Sequence, residues 1–160
     1  GFLGRNFKWM MKKSLRKIPF VGKACESAGF IFVDKSSPRK VYETIKHAEK
    51  VLQDGTSLMV FPEGARTFTG HMADFKKGAF LLADQLQLPV VPLTIDGSFD
   101  ILPRTGKTLS WHPMKLTIHP AIYPIGKGEA NLQKLMTESY QAIEKDLPPH
   151  YQGKRKNPDQ

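Results

Sequence analysis

Strand, helix, strand, helix, strand in regular alternation predicts a single layered α/β domain, a largely parallel sheet covered by helices. Three observations carry that prediction. Short apolar runs at 30–33, 57–61 and 90–95 have the length of buried strands. The stretch between the first two repeats its apolar residues at helical spacing. Between the second and third lies a shorter apolar helix. Connections of this size cross over a sheet, so the strands they join are expected to run parallel. No internal repeat or boundary interrupts residues 1–150, which read as one domain. Residues 151–160, ending in "QGKRKNPDQ", are charged, lack apolar anchors and are expected to form a disordered basic tail.

Each element has its own signal. Residues 1–23 hold seven basic residues (Arg5, Lys8, Lys12, Lys13, Arg16, Lys17 and Lys23), no acidic one, and interleaved Phe2, Leu3, Phe7, Trp9, Met10, Met11, Leu15, Ile18 and Phe20. That mixture reads either as an interfacial segment on anionic lipid or as an ordinary strand and helix with a solvated basic face. In "SSPRKVYETIKHAEKVLQDG", Ser37 can cap a helix, Pro38 suits its first turn and Gly55 can end it. Val41, Ile45, Ala48 and Leu52 form its apolar stripe, and His47 lies off that stripe as a surface histidine. "FKKGAFLLADQLQLP" is a short apolar helix stopped by Pro89. Pro92 inside the third apolar run marks an edge strand or a bulge. "DGSFDILPRTGKTLSWHP" is a long loop, and long loops are commonly functional. Leu116, Ile118 and Ile122 suggest a strand with one wet face. A last helix over about 129–146 carries Leu132, Leu135, Met136, Tyr140 and Ile143 on one side.

Composition narrows the function. With 160 residues, 40% of them apolar and 24% charged, the chain is that of a globular protein with a moderate core. A lone cysteine, Cys25, excludes an internal disulfide framework and points to a reducing compartment. The net charge of +9 favours a polyanionic partner, whether nucleic acid, an anionic membrane surface or a phosphorylated substrate. No nucleic-acid motif is present, and the cations are mixed with large apolar groups instead of lying along a polar stripe, so no nucleic-acid partner is expected. No apolar run approaches the ~20 residues that span a bilayer, so membrane contact within this chain is expected to be peripheral. The opening "GFLGRNFKWMM", without an initiator Met or a helix cap, reads as the interior of a longer sequence.

Chemistry concentrates in "VFPEGARTFTG", residues 60–70. A turn after a buried strand needs a glycine, not a carboxylate and a guanidinium three residues apart. Ligands of open α/β sheets bind beyond the carboxyl ends of the strands. There, Arg66 offers a bidentate fork for phosphate and Lys35, after the first apolar run, a point charge. Glu63 can accept from hydroxyls or orient Arg66, and Gly64 lets a ligand approach the backbone. Lys76 and Lys77 open the next helix, where cations and free N–H groups attract anions. The competing reading makes Glu63 and Arg66 a structural salt bridge that pins a turn and leaves the lysines solvated.

"FPEGARTFTG" followed by "DFKKGAF" closely resembles the Phe-Pro-Glu-Gly-Thr-Arg block and its continuation in the glycerophospholipid acyltransferases, the 1-acyl-sn-glycerol-3-phosphate acyltransferase family. "IPFVGKACESAGFIFVDK" and "LPVVPLTIDGS" resemble two further family blocks, in order, over about residues 8–125. The resemblance implies acyl transfer from acyl-CoA or acyl carrier protein to the hydroxyl of a lysophosphatidic acid-type acceptor in phospholipid biosynthesis, at a membrane and on its cytoplasmic face, with no cofactor. It implies that Glu63, Gly64 and Arg66 engage the glycerol and phosphate of the acceptor, with Lys35, Lys76 and Lys77 adding charge. Residues 90–93 would help wall the thioester site. Ala65 departs from the usual Thr, and Lys35 from the usual Arg.

The family's general base is a His with an Asp five positions later, upstream of the basic segment. None of His47, His71, His112, His119 and His150 has that partner. No catalytic residue is therefore assigned in this chain, the general base is expected upstream, and the fragment alone is expected to be inactive. His71 is the one nearby substitute, read more simply as a loop histidine. A non-catalytic module binding anionic lipid is the alternative function.

Overall fold

The computed structural model describes residues 4, 6–34, 36–52, 55–104, 106 and 108–153. They fall into two compact units, Gly1–Phe61 and Pro62–Gln160.

The first unit is built on three parallel strands in the order β2-β1-β3: β1 (Phe7–Lys12), β2 (Ile31–Val33) and β3 (Ser57–Met59). Met10 to Lys12 pair with Ile31 to Val33 on one side, and Phe7 to Trp9 pair with Ser57 to Met59 on the other. The basic opening segment forms a strand and a helix, and that strand is the central one. Its cations do not disrupt the ladder because Lys8 reaches out to donate its ammonium to the Ala28 carbonyl at 2.6 Å, while the end of its stem lies beside Gly29. A 3-10 turn (Lys13–Lys17) and α1 (Val21–Ser27) lead to β2. The helix α2 (Pro38–Leu52) then carries the chain across to β3. As expected, Ser37 caps α2, its hydroxyl accepting the Lys40 N–H at 3.3 Å. The apolar stripe of α2 turns inward, with Ala48 fully buried. Phe7, Trp9 and Phe61 form an aromatic row, Trp9 stacking on Phe61 at 5.5 Å.

The second unit packs α3 (Lys77–Leu86) against α5 (Glu129–Lys145). Phe80, Ala83, Leu132 and Leu135 are its buried centre, flanked by Phe75, Leu81, Val90, Ile122 and Met136. The strands β4 (Leu93–Asp96) and β5 (Lys115–Ile118) pair antiparallel. The parallel arrangement thus describes the first unit. In the second, the intervening α4 (Ser98–Ile101) is one turn, too short to serve as the crossover that a parallel pair needs. Pro92, which cannot donate to a ladder, precedes β4, and only an isolated bridge joins Val90 to Ile122 before it. The folded chain continues past residue 150. Tyr151 to Gly153, expected in the tail, are ordered because Tyr151 packs on Phe99 and donates its hydroxyl to Asp100. The remainder of the expected tail, 154–160, lies outside the described residues.

A buried carboxylate ties the two helices of this unit together. Asp84, 2% exposed near the end of α3, accepts from the Gly128 N–H at 2.9 Å and from the Asn131 amide at 2.8 Å, both at the start of α5. Asn131 in turn accepts the Ile125 N–H at 2.9 Å. The carboxylate does for α5 what a capping side chain does, from another element. Asp84→Ala leaves the buried Asn131 amide and the more exposed Gly128 N–H without their acceptor and is expected to lower stability by about 1–3 kcal/mol in urea denaturation, with Asp84→Asn losing less.

Candidate functional site

The motif opens a closed loop of the second unit. At its neck the Lys76 N–H donates to the Pro62 carbonyl at 2.8 Å. One residue inside the neck, Glu63 spans the loop, Oε2 accepting the Ala73 N–H at 2.8 Å. Gly64 then adopts φ +75°, a conformation that L side chains rarely take, with no steric clash at its Cβ position. Gly70 is required for a different reason. Besides its φ of +84°, a Cβ there would stand 2.6 Å from the Tyr151 ring. The two glycines of the motif therefore answer separate demands, backbone conformation at the first and close packing at the second.

Glu63 and Arg66 do not form an ion pair. Glu63 is half-buried, and burial of the charge raises its pKa above the ordinary carboxylate value, an effect the Ala73 N–H partly offsets. The competing reading, a salt bridge that pins the turn, is not what is observed: the carboxylate holds a backbone N–H instead. Arg66 is anchored by its main chain instead: its carbonyl accepts from Arg104 Nη1 at 2.8 Å. The Arg104 guanidinium itself lies over the Phe68 ring, 4.0 Å from the centroid. Exposed to solvent, the Arg66 guanidinium meets no hydrogen-bond or ion-pair partner among the described residues. Its fork is open to a ligand.

The two lysines divide. Lys76 caps α3 in extended conformation, and its stem lies beside Gly64, 3.6 Å from where a Cβ would stand. Its ammonium has no acidic partner among the described residues. Lys77 departs from the expectation: its ammonium pairs with Glu129 at 2.8 Å, at the start of α5. Lys35 lies outside the described residues. Its neighbour Asp34, in the first unit, is engaged by Lys13 at 2.6 Å and by the Ser36 N–H at 3.0 Å, which holds its carboxyl well below the usual range.

His71 and His119 hold parts of the fold together. His71 Nδ1–H donates to the Gln152 carbonyl at 2.9 Å. The Thr94 hydroxyl, buried, donates to the Ile143 carbonyl and accepts from His119 Nε2–H at 2.8 Å. Of the expected thioester wall, Val90 packs into the helix core while Val91 stays exposed. Among the described residues no cluster of His, Cys, Asp or Glu suits a metal ion. The sequence does not single out Arg104, whose only signal is a lone guanidinium in a long loop, or Tyr151, which falls at the start of the expected tail.

Because burial raises the pKa of Glu63, its contribution to stability is fully present below the unfolded carboxylate pKa and is lost as pH rises through the folded value. Glu63→Gln keeps an acceptor for Ala73 but removes the charge. In denaturation experiments between pH 4 and pH 7 the variant is expected to gain stability relative to wild type as pH rises; parallel curves would show an unperturbed carboxylate.

A family model for acyltransferases matches residues 2–96, a segment that includes "FPEGAR" and "DFKKGAF". A 1-acyl-sn-glycerol-3-phosphate acyltransferase of Chlamydomonas reinhardtii is 32% identical over 153 residues, which cover 94% of this chain and 45% of that protein. The chloroplastic 1-acyl-sn-glycerol-3-phosphate acyltransferase BAT2 of Brassica napus is 33% identical over 122 residues, 76% of this chain and 36% of that one. Saccharomyces cerevisiae has one that is 38% identical over 99 residues, 59% of this chain and 33% of its own length. Among solved structures, the 1-acyl-sn-glycerophosphate acyltransferase PlsC of Thermotoga maritima matches with a TM-score of 0.66 and 26% identity, covering 86% of this chain and 54% of that chain. The chain spans less than half the length of these curated relatives. With an α/β first unit, the motif on a closed loop and the family model covering more than half its residues, the chain belongs to the acyltransferase family.

Proposed function

We propose that this chain is the acceptor-binding part of an enzyme that moves an acyl group from acyl-CoA or acyl carrier protein to the hydroxyl of lysophosphatidic acid. The observation that carries the reading is the open guanidinium of Arg66, held by its main chain on a loop that Glu63 closes. Arg66 takes the phosphate through its fork, with Lys76 and the start of α3 adding positive potential. Glu63 keeps Oε1 for a glycerol hydroxyl while Oε2 holds Ala73. Gly64 leaves the backbone open to the glycerol. Lys77, paired with Glu129, contributes little. Lys35 remains a proposed phosphate contact. The hydroxyl must lose a proton as it attacks the thioester carbonyl, and the reading assigns the general base outside these 160 residues; no cofactor enters the step.

Calorimetry of the chain with glycerol 3-phosphate tests the assignment. Arg66→Ala is expected to weaken binding by about 10- to 100-fold, the range of a charge-assisted bidentate contact, and Lys77→Ala by less than about twofold. Equal affinity in wild type and Arg66→Ala would refute the phosphate role. Turnover of lysophosphatidic acid and acyl-CoA by the chain alone would refute the placement of the base.

A specific feature of the first unit favours an anionic membrane surface as a further partner, and with it a peripheral location on the cytoplasmic face. Phe20 is 90% exposed, and its backbone sits at φ +63°, ψ −48°. Bulky residues rarely adopt that conformation, which costs on the order of 1–3 kcal/mol. Ile18 and Val21 beside it are exposed too. The turn is rigid, since Val21 donates to Pro19, Gly22 to Ile18 and Ala24 to Phe20. Gly22 is pressed so closely on the Arg16 carbonyl that a Cβ would not fit. Lys12, Lys17 and Lys23 are exposed and without acidic partners among the described residues. An exposed apolar turn flanked in the chain by exposed cations suits the interface of anionic lipid. In sedimentation with vesicles of phosphatidylcholine and phosphatidylglycerol, Phe20→Ser is expected to reduce binding by on the order of tenfold, from the transfer energy of one phenyl ring. Binding indifferent to this change, or to omission of the anionic lipid, speaks against this turn. The alternative, a non-catalytic module that binds anionic lipid through the basic amino-terminal segment and the phosphate pocket, predicts vesicle binding that weakens with salt and no acyl transfer even when the upstream segment is restored.

A further inference from the structure

The segment 70–73 of the motif loop is held from two sides. On one side Glu63 accepts the Ala73 N–H. On the other stands the segment that follows α5. The Met72 N–H donates to the Tyr151 carbonyl at 2.9 Å, and His71 Nδ1–H donates to the Gln152 carbonyl at 2.9 Å. Gly70 lies so close to the Tyr151 ring that a Cβ there would stand 2.6 Å from it. Three consecutive loop residues thus each meet Tyr151 or Gln152. Those two residues are themselves fixed. The Tyr151 N–H donates to Pro148, its ring packs edge-on to Phe99, and its hydroxyl donates to Asp100. Gln152 donates its amide to the Leu147 carbonyl at 3.1 Å. Pairing with Asp100 and partial burial push the Tyr151 phenol up to about 12, so it remains a donor throughout the neutral range.

We propose that Tyr151 and Gln152 form a strap that positions Glu63 by immobilising its hydrogen-bond partner, the 70–73 segment. Tyr151 is a positioning residue: it acts on Glu63 through Met72 and Ala73 and makes no contact with the acceptor. Without the strap, the Ala73 N–H is tethered only by the carboxylate it is meant to fix. A loose Ala73 allows Glu63 to swing, and the orientation of the carboxylate toward a glycerol hydroxyl is lost. This deepens the acceptor-site reading above and rests on it for the ligand, though not for the mechanics of the loop.

The experiment combines amide hydrogen exchange, thermal unfolding and glycerol 3-phosphate titration on wild type, Tyr151→Ala, Tyr151→Phe and Gly70→Ala. In Tyr151→Ala the exchange of Met72 and Ala73 is expected to speed up about tenfold or more, while Leu132 and Leu135 in the α3–α5 core stay as slow as in wild type. Affinity for glycerol 3-phosphate falls in the same variant by about fivefold or more. Tyr151→Phe keeps the ring against Gly70 and Phe99 and restores most of both properties. Gly70→Ala, which forces the ring away, reproduces the loss. Unchanged exchange at Met72 and Ala73 in Tyr151→Ala overturns the strap. So does faster exchange there that only tracks equal loosening of Leu132 and Leu135, because that is loss of fold. If wild type fails to bind glycerol 3-phosphate, the acceptor reading falls, and the exchange data alone then decide for or against the strap.

Discussion

A half-buried carboxylate must find a donor, and the donor it finds decides what its neighbours can do. Glu63 takes the Ala73 N–H, across a loop already closed by Lys76 and Pro62. Had it taken the guanidinium three residues away, the motif would be an internally neutral turn with nothing to offer a ligand. Choosing a backbone donor leaves Arg66 charged, solvent-facing and without a counterion among the described residues. The cost is a carboxylate whose burial disfavours its charge. The gain is a cation held in place by its own carbonyl through Arg104. Local stability and affinity for an anion are met by different atoms of the same short stretch.

That loop depends on a framework which is itself held by polar contacts at a few buried points. Asp84 joins the end of α3 to the start of α5, so the helix that begins at the loop neck is registered against the helix that leads to Tyr151. Phe75, just before the neck, packs between Phe80 of α3 and Tyr140 of α5. Apolar packing supplies the adhesion between the helices, but it is tolerant of sliding. The Asp84–Gly128–Asn131 contacts, being directional, select one register. The motif loop and the segment after α5 inherit their alignment from that choice.

The secondary structure was largely readable because its signals are local. The serine cap and apolar stripe of α2, the inward face of α5 and the proline before β4 lie within a turn or two of what they specify. The central position of β1 was not readable. A strand of alternating bulk and charge looks the same whether its flanks meet lipid or two neighbouring strands, and the reach of Lys8 to Ala28 spans twenty residues. Nor was the antiparallel pairing of β4 and β5, since whether α4 is a crossover or a single turn depends on packing.

For the site, the sequence alone determined which residue types meet at the end of the third strand, and it identified the family through three ordered blocks. Glu63, Gly64 and Arg66 are adjacent in the chain, so no fold is needed to bring them together. Tertiary structure decided the rest. It turned Glu63 to Ala73 and away from Arg66, sent Lys77 to Glu129 while Lys76 stayed beside Gly64, and brought Tyr151 from an apparent tail onto Gly70. The physical reason is common to all of these. A local pattern records what a side chain is able to do, whereas its partner is settled by competition among every donor, acceptor and surface that folding brings within reach. That competition involves residues eighty positions apart as readily as three.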